Sequence, residues 1–138
     1  PRFITRSGDE DTDEREAAVV LTAGHSKQIG VWFATIALVG IFAFSGITKL
    51  VGSSPMIDRF GYWGYPAWFL LVVGAAEVAG AVLLLIPKTA LYGAIVLAAV
   101  MAGAVFTHVR HAEWFPVLFV IIIFFLLSMV AGFRRARP

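Results

Sequence analysis

WFLLVVGAAEVAGAVLLLIP, running from Trp68 to Pro87, is almost wholly apolar. It is about as long as a bilayer core is thick, so it reads as a transmembrane helix. Glu77 stands at its centre. At ~1.5 Å per residue it lies roughly 14 Å from either end, close to the midplane. A carboxylate there costs at least ~2.5–3.5 kcal/mol on insertion scales. Its neighbours three and four positions away are Val73, Gly74, Gly80 and Ala81. Small residues at that spacing let another backbone come close, so Glu77 is expected to face other helices and not lipid. Such an acid is a candidate proton carrier, a quinone contact or one half of a buried ion pair. The plainer reading is a neutral carboxylic acid, kept protonated by desolvation and hydrogen-bonded across helices.

The composition agrees with a membrane chain. Of 138 residues, 59% are hydrophobic and 14% charged, where a soluble domain carries about 25% charged residues. There is no cysteine, which excludes disulfides, thiol redox chemistry and cysteinyl iron–sulfur ligation. The net charge of +2 is unevenly spread: residues 1–16 hold six acids and three arginines, net −3, which leaves +5 for the rest. The basic excess suits phospholipid headgroups, and nothing supports nucleic-acid binding.

Outward from the central stretch, three more spans are expected, at about 29–51, 89–109 and 115–133, with the second at 67–86. The fold class is therefore all-α, an integral membrane four-helix bundle with a polar acidic N-terminal tail. Residues 1–28 read as a cytoplasmic acidic tail and interfacial lead-in, and 29–138 as the membrane domain. The start, PRFITRSGDEDTDERE, lacks the basic opening and apolar run of a signal peptide. It reads as a solvated tail, with a basic partner surface as the alternative. Residues 17–28 are too short to span, and either lie at the membrane surface or lead into the first span.

Lys49 falls near the end of the first span, one turn after Ser45. Snorkelling outward is the simpler expectation. Turning inward to pair with Glu77 is the alternative, against a large offset in depth. The loop GSSPMIDRFGYWGYP at 52–66 has helical spacing at Met56, Ile57 and Phe60, so a short surface helix after Pro55 fits. Tyr62, Trp63, Tyr65 and Trp68 read as an interfacial belt, and Asp58 and Arg59 as solvated. Pro87-Lys88 makes a tight turn, so the second and third spans are antiparallel neighbours. Ala99 and Gly103 form a small-xxx-small pair expected to pack them together. His108 and His111 share a helical face, but only Glu113 stands near to complete a metal set, so a pair at the interface is expected and no metal. The fourth span is apolar on every side and meets lipid or a hydrophobic partner.

Lysine and arginine counts set the expected topology. One side would hold Lys27, Lys88, Arg134, Arg135 and Arg137, the other Lys49, Arg59 and Arg110. Both termini are then cytoplasmic.

Three groups of residues carry a resemblance. Phe42-Ala-Phe-Ser-Gly46-Ile-Thr-Lys49-Leu50, then Gly74-Ala-Ala-Glu77-Val-Ala-Gly80 with Leu84 and Ile86-Pro87, then Met101, Ala104 and His108, together resemble the helix patterns of the DoxX/DoxD-like family of small bacterial membrane proteins. The resemblance covers about 29–133. It implies a four-helix bundle in the bacterial cytoplasmic membrane and association with quinone-coupled or other redox complexes, respiratory or photosynthetic. It singles out Lys49, Glu77 and His108 as candidate proton-carrying or quinone-contacting residues. No redox-cofactor ligand set is evident, so electron transfer by this chain alone is not expected. The leading expectation is an accessory subunit of a redox complex, among other integral membrane subunits. The alternatives are a quinone-site subunit using Glu77 for proton transfer, and a small transporter or lipid-handling protein.

Overall fold

A computed structural model describes residues 7–135, with side chains from residue 11 onward. The outermost residues of the two tails, 1–6 and 136–138, lie outside the described residues, so the calls on Arg137 and on the start of the acidic tail do too. The elements are all helical: α1 (Ser7–Leu50), α2 (Ser54–Tyr62), α3 (Ala67–Leu85), α4 (Ala90–Arg110) and α5 (Trp114–Arg135). Four of them, α1, α3, α4 and α5, are long and apolar enough to cross a membrane. The expected spans agree with the last three within two residues at each end. The short helix after Pro55 is α2.

Contacts divide the chain into two units, Pro1–Phe33 and Ala34–Pro138. In the first, α1 begins far earlier than expected, at Ser7, so most of the acidic tail and the whole lead-in are helical. Asp11, Asp13 and Glu14, near its start, favour a helix N-terminus. Arg15 adds an i,i+4 pair to Asp11 at 3.2 Å, and no proline interrupts before Pro55. The threonine and serine hydroxyls that would otherwise compete with the backbone turn back along the helix, Thr22 donating to the Ala18 carbonyl and Ser26 to that of Ala23.

The second unit is the bundle. Its buried positions follow a four–three spacing: Leu70, Gly74, Glu77, Ala81 and Leu84 on α3, and Ala90, Ala94, Leu97 and Met101 on α4. On α1 they are Thr35, Leu38, Phe42 and, after Gly46, Lys49. A four–three repeat of this kind is the pattern by which helices pack along a seam at shallow crossing angles, typically about 20°. Outside the stripe the helices show apolar side chains, as lipid requires.

Helices α3 and α4 pack closely, but not through the expected pair. Ala99 and Gly103 are exposed, and a Cβ on Gly103 would meet nothing within 4 Å. A Cβ on Gly93 would lie 2.5 Å from the Leu84 nitrogen and 2.7 Å from the Gly80 carbonyl. Gly93 borders the stripe, whereas Ala99 and Gly103 sit on the opposite side of α4. The intervening turn is pinned by Thr89, whose hydroxyl donates to the Leu83 carbonyl at 3.0 Å.

At the other end, α1, α2 and α4 all finish in the same way. The amides of Ser53, Tyr65 and Glu113 reach back five residues to the carbonyls of Thr48, Phe60 and His108. The residue before each has positive φ: Gly52 at 63°, Gly64 at 79° and Ala112 at 56°. These are Schellman ends, for which glycine is the usual residue and alanine a strained one.

Candidate functional site

The close approach of α1 and α3 builds the buried polar site. Gly46 and Gly74 face each other: a Cβ on Gly46 would stand 2.8 Å from the Gly74 carbonyl, and one on Gly74 would stand 2.9 Å from the Gly46 carbonyl. With the backbones in contact, Lys49 is carried to Glu77. Its ammonium lies 2.9 Å and 3.2 Å from the two carboxylate oxygens. It also donates to Ser45 Oγ at 2.6 Å, one turn back. Glu77 is 3% exposed and Lys49 8%.

Glu77 therefore faces the bundle interior, as its small neighbours imply. The snorkelling expectation for Lys49 is overturned. Its premise was that the end of the first span marks the interface. A Cβ on Gly74 would lie 2.9 Å from Lys49 Cβ, so Lys49 is level with Gly74. Gly74 is seven residues, about 10 Å, inside the start of α3. Helix α1 stops short of the bundle end, and the depth offset between lysine and acid disappears.

His108 does not join this pair. Leu97 of α4 packs on Gly80 of α3, and counting along both helices puts His108 about 12 Å nearer the α2 end than Glu77. There it belongs to a second cluster. Its Nδ1 donates to Glu113 Oε2 at 2.6 Å, and its ring meets that of Trp63 edge-on at 5.1 Å. Trp63 Nε1 donates to the other Glu113 oxygen at 3.4 Å, and an Arg59 nitrogen approaches that oxygen at 4.0 Å. Thr107 donates to the Gly103 carbonyl at 2.9 Å, which leaves its oxygen to accept from Tyr65 at 2.7 Å. His111 lies against Tyr62, ring centroids 5.5 Å apart. The two histidines thus take different partners. Among the described residues, no three metal-ligating side chains converge.

The aromatic belt is therefore half a belt. Tyr62 and Trp68 are exposed, while Trp63 and Tyr65 are half-buried and bind the loop to α4 and the turn after it. Arg59, expected to be simply solvated, stacks over Trp63 at 5.5 Å. The residue that sequence reasoning undervalued is Glu113. It is five residues from His108, not a helical spacing, and only the left-handed turn at Ala112 brings the two together. That conformation leaves no glycine in the sequence to mark it.

Glu113 sits between the spans, and its carboxyl is held below the ordinary value of 4.5. The His108 hydrogen bond is the chief cause, with the Trp63 indole and the Arg59 charge adding to it against partial burial. A depressed carboxylate contributes stability that is present above 4.5 and lost as pH falls through its folded value. Acid titration of thermal stability should show that loss in the wild-type chain and a shallower one in Glu113→Gln. Parallel acid profiles would mean that the cluster contributes no such term.

A family model described as the DoxX-like family matches residues 33–131. Comparison with curated proteins and with solved structures gives no match.

Proposed function

The chain belongs to the DoxX-like family, and on that footing we propose that this small multi-pass membrane protein is a non-catalytic subunit of a larger redox complex. The observation that carries the reading is the state of Glu77. Both of its oxygens are taken by Lys49, inside a contact where two backbones touch. A proton carrier needs a second acceptor or a path to water, whereas the contacts of Glu77 run to Lys49. Here the acid is used to hold α1 against α3. A partner surface is available on α5, where Phe115, Phe119, Ile122, Phe125 and Met129 are exposed. The link to redox chemistry rests on the family resemblance.

The test is gentle-detergent purification of the native protein, with co-purifying subunits counted by mass spectrometry. A stoichiometric cofactor-bearing partner is the expected result, together with loss of that complex on gene deletion. Recovery of the chain alone, with every membrane complex intact in the deletion strain, would count decisively against it.

A second reading draws on the closeness of Lys49 to Glu77: a quinone-site subunit in which Glu77 takes or gives the proton and Lys49 stabilises the carboxylate. It requires Glu77→Gln to lower turnover in an assembled complex. Unchanged turnover removes Glu77 from the chemistry.

In either case we place the protein in the bacterial cytoplasmic membrane with both termini inside. The natural sequence has no cysteine, so Gly61→Cys, at an open position, supplies a single reporter. It should react with an impermeant thiol reagent in intact cells. Labelling only after lysis reverses the orientation.

A further inference from the structure

Of the three helix ends that close on a left-handed residue, two use glycine, Gly52 and Gly64, and the third uses Ala112 at φ 56°. A side chain is strained there, and such a conformation persists only where its surroundings hold it. Glu113, the next residue, is joined to His108 twice. Its amide donates to the His108 carbonyl at 2.9 Å, and its carboxylate accepts from the ring Nδ1 at 2.6 Å. The side-chain bond thus closes over the same residues as the backbone bond, and keeps the alanine in the conformation that glycine adopts freely.

The same carboxylate reaches a second connection. Trp63 Nε1 donates to its other oxygen at 3.4 Å, and an Arg59 nitrogen approaches that oxygen at 4.0 Å. The segment that leads from α2 into α3 and the turn from α4 to α5 therefore meet at one acid. The charged or titratable groups facing it are Arg59 from α2 and His108 from α4. The charged residues of the other two helices stand elsewhere, Glu77 in the middle of α3, and Arg134 and Arg135 in the last turn of α5. Tyr65 and His111 take Thr107 and Tyr62 instead. A protonated His108 still offers its Nδ1–H, so a proton on the histidine leaves the arrangement closed. A proton on Glu113 weakens its bonds to both segments together, and because this carboxyl is held below 4.5 when closed, proton uptake favours opening.

We propose that Glu113 is a proton-operated lock on two connections at one end of the bundle: charged, it holds segment 59–65 and the strained 108–113 turn to each other, and protonated, it frees both at once. Ala112 is the spring of this device, since the turn leaves the left-handed conformation once the carboxylate no longer closes it. The lock is built from these contacts alone and does not depend on the function proposed for the Lys49–Glu77 pair.

The experiment is amide hydrogen exchange on the full chain in lipid nanodiscs, followed over 59–65 and 108–114, with rates corrected for the intrinsic effect of pH. The reporting amides are those of Tyr65 and Glu113, bonded back to Phe60 and His108. The reference is 86–93, the α3–α4 turn pinned by Thr89. In the wild-type chain both segments should stay protected through the histidine range near about 6.5 and loosen together below 4.5, with the reference unchanged. Glu113→Gln, the stand-in for the protonated acid, should loosen both about tenfold at neutral pH, the size expected for losing one charge-assisted hydrogen bond, and should abolish the acid step. Adding Ala112→Gly to Glu113→Gln removes the strain, so 108–114 should regain its protection while 59–65 stays loose. The wild-type titration decides the matter if the variants do not fold. Protection unchanged below 4.5, loosening of one segment without the other, or equal loosening of the reference turn overturns the proposal, as does a double variant whose turn stays as loose as in Glu113→Gln.

Discussion

Lys49→Met, with Glu77 left in place, is expected to lower the unfolding free energy by about 3 kcal/mol or more, the cost of leaving one member of a buried pair alone. Four contacts of the ammonium are lost at once: both Glu77 oxygens, Ser45 Oγ and the Ser45 carbonyl. The stranded carboxylate, 3% exposed, must either stay charged without a partner or take up a proton. Glu77→Met strands the lysine in the same way. The double replacement Lys49→Met/Glu77→Met is expected to recover most of the loss, because two unbranched apolar chains fill similar space without a charge to desolvate. A double-mutant cycle on reversible unfolding in mixed micelles measures this, and the coupling should reach about 2 kcal/mol. Single losses that simply add in the double variant would mean that the pair is not a unit, and the account of Glu77 as a lock would fail with it.

The second large effect is steric. In Gly93→Ala the new methyl group would stand 2.5 Å from the Leu84 nitrogen, 2.7 Å from the Gly80 carbonyl oxygen and 2.9 Å from the Leu83 carbonyl carbon. All three are backbone atoms of α3, so no side chain can swing aside and the two helices must separate. Overpacking of this kind costs about 1–3 kcal/mol, and the parted stripe loses further contact where Leu84 and Leu97, both fully buried, now fill the interior. Gly103→Ala, ten residues on along the same helix, meets open space. It should be neutral or stabilising by up to about 1 kcal/mol through helix propensity. Thermal unfolding of both variants in one detergent separates them. Equal behaviour would show that the approach of α3 and α4 at Gly93 is not tight.

These two glycines mark where sequence reading stops. Both are small residues in the same apolar helix, and composition ranks Gly103, with its Ala99 partner, as the better packing motif. The four–three spacing of Ala90, Ala94, Leu97 and Met101 places Gly93 beside the seam and Gly103 away from it. That spacing is present in the sequence, but an all-apolar span hides it, since lipid accepts apolar side chains on every face. Lys49 shows a different limit. Snorkelling outward was the simpler expectation, with pairing to Glu77 as the alternative, and the choice between them turned on depth. Depth depends on where α1 ends relative to α3, which spacing along one helix does not give.

Length, hydropathy, prolines and glycines in this chain were enough to determine four spans, the short helix after Pro55, the tight turn at Pro87 and the inward direction of Glu77. These follow from local chemistry: backbone groups in lipid must be satisfied within a helix, and a midplane acid must find polar company. The partner of that acid, the glycine that brings α3 to α4, and the meeting of Glu113 with His108 and Trp63 came from the packed structure. Each depends on the relative height of two helices or on one left-handed residue, Ala112. Such displacements of a few ångströms are set by the sum of side-chain contacts along the seam, and no single residue in the sequence announces them.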